Sequence, residues 1–329
     1  MFSPALRPRS KLLRAGLQTF SHGPLRRRSL PRNARWLTSP ASPEHAKGPL
    51  PGQQVDNEFA EAMGFMMAYV RSLETARVDR IINDPFAEPL SRKARPMLEG
   101  IVDAIPEQRD ELNNFVAVRD RYVDEALNQR DPEICQVVIL GAGMDARAYH
   151  LESLRGCHVL EIDQGAQLLG HKRKIIQELH VPSIAEKVEY IIADLAVDDW
   201  GSRLLACNFD KRKPTFWVME GLLPYLDRPS NVTLLKTVDT LSAPGSELWA
   251  DMAGEMAATA AEMGTRRASY GEDDPMHGVL SEIPWRLELQ ASLGTTGTHF
   301  GRDWTPIQGV ASKRGVPFFY VLGKKPHSS

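Results

Sequence analysis

Glycines and carboxylates stand at the ends of apolar runs in this chain, the places from which side chains and bare backbone reach a nucleotide. Val137, Val138, Ile139 and Leu140 read as a strand buried on both faces. The run stops at Gly141-Ala142-Gly143, a turn whose missing side chains let a ligand approach the backbone. Met144 onward reads as the start of a helix, with Asp145 in its first turn. Strand, glycine turn and helix N-terminus form the nucleotide-binding corner of a doubly wound α/β fold. Residues 157–163 read as the next strand, and Asp163 ends it where a carboxylate accepts the two hydroxyls of a ribose. Glu161, two residues earlier, shares its face. Asp194 and Glu220 end two further apolar runs, residues 188–193 and the run that opens at Pro214.

These groups need elements to hold them. Residues 56–80 read as a helix with Phe59, Met63, Met66, Met67, Val70 and Leu73 at helical spacing, a core-facing stripe ahead of an adaptable lid, and Asp84-Pro85 marks a stop. Residues 108–129 read as a second helix, and Arg119 falls on its apolar stripe beside Phe115, Val116 and Tyr122. An unpaired buried charge is expensive, so Arg119 faces either a neighbouring carboxylate or an anionic group of the ligand. Residues 168–179 are helical, with His171 to Lys174 taken as a solvated basic face, and 231–241 are helical. Residues 247–252, 285–290 and 317–322 read as strands, 253–267 as a helix, and GTTGTHFGRDW as a loop that sequence does not assign. His277 and His299 are the two candidates for a general base, each weighed toward an ordinary loop histidine.

Glycine spacing leaves the nucleotide open. Ala146 occupies the third glycine position of a dinucleotide fingerprint, a tolerated variant, and NAD also wants an acid at Asp163. The flanking residues lean away from NAD. LGAGMDARAYHL resembles motif I of S-adenosylmethionine-dependent methyltransferases, in particular the leucine carboxyl methyltransferase-like family, whose pattern reads roughly LGAGxDxRxxRL. Three more motifs follow in order: EIDQ at Asp163-Gln164, Asp194-Leu195 with Asp199-Trp200, and EGLLPYL from Glu220 to Leu226. The resemblance spans roughly residues 56–325. It implies a Rossmann-like seven-stranded sheet with its last strand antiparallel, under an N-terminal helical cap formed by 56–130. It implies S-adenosyl-L-methionine as cofactor, with Asp194 on the adenine amino group, the Leu195 amide on a ring nitrogen and Glu220 near the sulfonium. It implies an arginine of the Arg119-Asp120-Arg121 element on the methionine carboxylate, and the stripe favours Arg119. Gly141, Ala142, Gly143, Asp145, Asp163 and Gln164 complete the expected cofactor contacts. Tyr225 reads as packing whose hydroxyl borders the acceptor.

The acceptor is not in the motifs. A carboxylate acceptor is ionised near neutral pH and needs no base, which suits a chain without an evident catalytic His or Cys, so no catalytic residue is named. The leading expectation is a small-molecule O-methyltransferase acting on a carboxylate. A protein C-terminal carboxyl methyltransferase, an NAD-dependent oxidoreductase and a non-catalytic cofactor-binding relative stand as alternatives.

Charge is unevenly spread over the 329 residues. Residues 1–43 hold eight Arg, one Lys and no acid, so they carry +9, leaving 31 basic against 42 acidic residues, −11, for the remainder. That acidic body argues against a nucleic-acid surface, and no apolar run approaches bilayer length. The leader has the composition of an organelle transit peptide, a mitochondrion ahead of a plastid, the alternative being a disordered basic tail or a mispredicted start and a cytoplasmic protein, with a linker at 44–55 and a single domain over 56–329. Cys135, Cys157 and Cys207 fit neither a zinc pattern nor a disulfide framework, so no metal is expected.

Overall fold

The computed structural model describes residues 57–102, 109–263 and 268–327. The leader expected at 1–43 and the linker at 44–55 lie outside the described residues, as does the end of the helix expected at 253–267. Four helices open the described chain: α1 (Asn57–Thr75), α2 (Ala87–Ser91), α3 (Arg95–Val102) and α4 (Arg109–Gln129). Then strands and helices alternate: β1 (Gln136–Leu140), α5 (Arg147–His150), β2 (His158–Asp163), α6 (Ala166–Leu179), β3 (Lys187–Ile192), α7 (Trp200–Leu205), β4 (Thr215–Met219), α8 (Arg228–Leu241) and β5 (Glu247–Ala253). The short helix α9 (Ala260–Met263), β6 (Arg286–Ser292), β7 (Gly297–His299), β8 (Arg302–Trp304) and β9 (Phe318–Lys324) complete it.

Seven strands form one sheet in the order β3-β2-β1-β4-β5-β9-β6. β1 pairs in parallel with both β2 and β4, whereas β9 runs antiparallel between β5 and β6. The expected seven-stranded Rossmann-like sheet with an antiparallel last strand is therefore the observed one. The strand order reverses at β1, running outward to β2 on one side and to β4 on the other, so the C-terminal ends of these three parallel strands border one crevice. β1 and β4 are buried along their whole length, as their unbroken apolar runs require. One face of the sheet packs against α1 and α4 around Trp249 and Tyr320, and the other against α7 and α8 around Trp217. Asp199 caps α7 by accepting the Ser202 amide (3.1 Å), and Trp200 stacks edge-on to Trp217 (6.3 Å), so the D-W pair is a structural joint.

Several boundaries differ from the sequence expectation, each for a non-local reason. α1 ends at Thr75 and not near Arg80, because the chain folds back on the helix end. The Asp84 amide donates to Thr75 Oγ1 (2.9 Å) and the Ile81 amide to Glu74 Oε1 (2.8 Å). The helix expected from Met144 starts at Arg147 and lasts four residues, so Asp145 precedes it, with Oδ1 accepting the Arg147 amide (2.8 Å). In place of a helix over 253–267, Ala253 ends β5 and two short turns of helix follow it. The unassigned GTTGTHFGRDW segment contains the β7–β8 hairpin, turned through Phe300 and Gly301 at φ 53° and 78°. It is held by Arg302 on the buried Glu74 (2.6 Å) and by Tyr122 bonded to His299 (2.9 Å).

Candidate functional site

One cleft lies over the C-terminal ends of β1 to β4. Arg119, Gly141, Ala142, Gly143, Asp145, Asp163, Gln164, Asp194, Leu195 and Glu220 all line it. The second wall comes from α1, through Phe59, Met63, Gly64, Met67 and Arg71, and from the β4 exit, through Leu222, Tyr225 and Leu226. The methionines of α1 divide between two jobs: Met66 and Val70 are core, while Met63 and Met67 face the cleft.

The glycine loop is tied down from below. Gly143 has φ +47°, a left-handed conformation that a side chain opposes, and its amide donates to Asp163 Oδ2 (2.8 Å). Asp163 Oδ1 accepts the Gly165 amide (2.7 Å), so the carboxylate fastens the loops after β1 and β2 together. Beneath the loop, Lys172 is wholly buried, ion-paired with the equally buried Glu161, and donates to the Gly143 carbonyl (3.3 Å). The run His171 to Lys174 was expected to be a solvated face; Lys172 departs from that and points inward, because Glu161 supplies a counter-charge that compensates its burial. Burial pushes the Glu161 carboxyl up to about 7, with Lys172 opposing.

Asp194 turns the chain at the end of β3, with Oδ1 accepting the Ala196 amide (2.8 Å). Its Oδ2 is buried and has no hydrogen-bond partner within the protein. A buried carboxylate oxygen left in this state costs free energy unless a ligand donor meets it.

Glu220 lies between two guanidiniums. Arg119 Nε donates to its Oε1 (2.9 Å) and Arg147 Nη1 to its Oε2 (2.8 Å). Burial acts against its charge, but Arg147 and Arg119 outweigh burial and hold the carboxyl well below its ordinary range. Gly221 follows at φ +60°, a conformation that opposes a side chain, and an added Cβ would crowd Arg119 Nη1 at 3.2 Å. The Arg119 pair with a carboxylate thus exists, and the guanidinium also faces the cleft. Arg121, the other arginine of the element, pairs with Glu125 at 3.2 Å on a half-exposed face.

Around Glu220 extends a buried network that sequence reading had not assembled. Arg147 reaches Asp124 (2.7 Å), Asp145 (2.5 Å) and Asp120 (3.3 Å), Arg71 reaches Asp84 (3.0 Å) and Asp120 (3.7 Å), and Arg119 reaches Asp251 (3.6 Å). Three arginines therefore face six carboxylates, counting Glu220. The acid excess is met partly by protonation: burial together with Glu220 drives the Asp120 carboxyl well above its ordinary range. Arg147 and Asp145 were visible in the D-x-R of motif I, whereas Asp251 announces itself only as an acid inside the apolar run of β5.

Asp251 gives a pH prediction. Burial raises its carboxyl from 3.8 to about 6, against the pull of Arg119 and of the Gly221 amide. The folded protein then holds a proton that the unfolded chain releases near 3.8, so this group's contribution to stability falls as pH rises from about 4 to 6 and is level above. Asp251→Asn keeps an acceptor for the Gly221 amide (2.6 Å in the parent) and removes that slope. Urea midpoints at pH 4.5 and 7 should show the variant gaining on the parent as pH rises; parallel curves would contradict the assignment.

Neither histidine proposed as a base lines the cleft. His277 is exposed and pairs with Asp274 (2.9 Å), and His299 sits in the hairpin against Tyr122, where burial lowers its pKa. Among the described residues, the cleft wall contains no His, Lys or Cys, and no cluster of His, Cys, Asp and Glu is arranged to hold a metal.

Comparison with known proteins agrees with this geometry. The family model for leucine carboxyl methyltransferase matches residues 64–239. A candidate S-adenosyl-L-methionine-dependent methyltransferase of Saccharopolyspora erythraea is 35% identical over 270 residues, covering 76% of this chain and 90% of that one. A similarly described protein of Frankia alni is 36% identical over 244 residues, covering 69% and 86%. The crystal structure of a candidate methyltransferase from Thermobifida fusca shares the fold, with a TM-score of 0.51 at 14% identity over 79% of this chain and 94% of that one. From the match across more than half its length and these relatives, the chain belongs to the leucine carboxyl methyltransferase family of S-adenosylmethionine-dependent enzymes.

Proposed function

We propose that the protein methylates a carboxylate of a small molecule, with the cofactor held by the residues around the glycine loop. When bound, S-adenosylmethionine supplies an electrophilic methyl group on a positively charged sulfur. The residues fit that group. Asp194 Oδ2, buried without a protein partner, is set to accept the adenine amino group beside the Leu195 amide. Asp163 ends β2 with lone pairs left for the ribose hydroxyls. The bare backbone of Gly141 to Gly143 admits the methionine portion, and Asp145 and Gln164 flank it. Arg119, held by Glu220, turns its remaining N–H groups to the amino-acid carboxylate. The acid excess of the surrounding network favours a ligand that carries sulfonium and ammonium charges.

The observation that carries the carboxylate reading is the composition of the cleft wall. Its acidic groups are engaged by arginines or by backbone amides, or are assigned to the cofactor, and among the described residues no imidazole or amine stands there to take a proton. A carboxylate acceptor requires none. Its oxygen bonds to the methyl carbon, the C–S electron pair stays on sulfur, and a methyl ester and a thioether result with no proton moved. Orientation and exclusion of water by α1 and the β4 exit are then the protein's main contribution. Methyl label transferred from the cofactor should leave the product as methanol on mild alkaline treatment, as an ester does. Label that resists alkali would mark an ether or amine product and sink the reading. We also propose that residues 1–43 direct the chain to an organelle, the mitochondrion first; a reporter fused behind them that stays in the cytosol would argue otherwise.

A further inference from the structure

Both polar groups of Gly143 are held by carboxylates of a single strand, one directly and one through a lysine. On β2, Glu161 and Asp163 alternate onto the same face, and both are buried. Asp163 Oδ2 accepts the Gly143 amide (2.8 Å). Glu161 acts one step removed, through its ion pair with Lys172 of α6, whose Nζ donates to the Gly143 carbonyl (3.3 Å). Lys172 is wholly buried, stands over the Tyr190 ring at 5.6 Å and does not line the cleft. Burial acts against the charge of Asp145, a cleft residue, but Arg147 and then Lys172 hold that carboxyl below its ordinary range. One buried ammonium thus acts on two residues of the cleft from behind.

A buried ion pair gives a fold little that a well-packed apolar pair would not, and the apolar pair is often the more stable. What an apolar pair cannot do is donate to a carbonyl. Gly143, at φ +47° and without a side chain, has several peptide orientations open to it unless its polar groups are tied. We infer that Lys172, with Glu161 as its counter-charge, is a positioning residue for the cofactor: it fixes the Gly143 carbonyl and so holds the loop in its receiving shape before the ligand arrives. This rests on the cofactor lying over the glycine loop, as proposed above. Lys172 and Glu161 lie behind the loop, so their contribution is preorganisation: the loop is ordered on folding and not at the expense of binding.

Calorimetric titration with S-adenosylhomocysteine and urea unfolding, both on the full chain, test this in Lys172→Met, the double variant Lys172→Met/Glu161→Leu, Asp163→Ala and the parent. Lys172→Met strands the Glu161 carboxyl, so stability and affinity should both fall. The double variant removes the stranded group, and its urea midpoint should return close to the parent's. Its affinity should stay about tenfold below the parent's, the scale of a lost hydrogen bond from a charged donor. If Lys172→Met alone does not fold, the double variant decides. Affinity that recovers together with stability would overturn the inference and make the pair a packing device. If Asp163→Ala still weakens binding by about fivefold or more in that case, the cofactor's place on the loop stands. Parental affinity in both the double variant and Asp163→Ala would overturn that placement as well.

Discussion

Arg147→Met should lower the stability of the protein by about 3–5 kcal/mol, the cost of leaving a buried charge without its partner. Arg147 is 6% exposed, and its guanidinium serves Asp120, Asp124, Asp145 and Glu220 at once. Methionine fills similar volume, so the loss is electrostatic more than a matter of packing. The urea midpoint should drop with little change in slope. Part of the loss should return as pH falls, because carboxylates stripped of their cation become easier to protonate. Arg121→Ala is the control: its partner Glu125 lies on a half-exposed helix face, and such i, i+4 pairs contribute about 0.3–0.5 kcal/mol. A loss below about 1 kcal/mol for Arg147→Met would mean that Arg119 and Arg71 carry the network without it.

Asp163→Ala should weaken binding of S-adenosylhomocysteine by roughly 1–3 kcal/mol, about 5- to 150-fold, the range for stranding buried hydrogen-bonding groups. Two effects combine here. The carboxylate is proposed to take the ribose hydroxyls, and it holds the Gly143 and Gly165 amides at 2.8 and 2.7 Å. Asp163→Asn separates them. Its one amide oxygen keeps an acceptor for a single loop amide, while its NH2 group faces the other donor, so an intermediate loss is expected. Calorimetric dissociation constants for the three proteins should therefore rise in the order Asp, Asn, Ala. An unchanged constant for Asp163→Ala would remove this residue from the site.

The sheet was legible because its strands are written as uninterrupted apolar runs, and the residues that end them, Gly141, Asp163, Asp194 and Glu220, line one cleft. What was not legible depends on partners distant in sequence. Nothing local says that Lys172 in a basic run is buried; the reason is Glu161 on the neighbouring strand, eleven residues earlier. The end of α1 at Thr75 is set by residues 81–84 folding back, and the β7–β8 hairpin is held by Glu74, 228 residues from Arg302. Arg119 posed an either–or question in sequence, a structural pair or a ligand contact. In the structure one guanidinium pairs with Glu220 and still lines the cleft. The two candidate histidines, weighed toward ordinary loop residues, lie outside the cleft.

The proposed chemistry depends on an S-adenosylmethionine site over β1 to β4. Calorimetric titration of the full chain with S-adenosylhomocysteine and, separately, with NADH tests it most directly. The site described here predicts saturable binding of S-adenosylhomocysteine, one per chain, and none of NADH, since Asp194 Oδ2 and the acid-rich network suit an adenosyl sulfonium and oppose a pyrophosphate. Binding of NADH with no response to S-adenosylhomocysteine would contradict it.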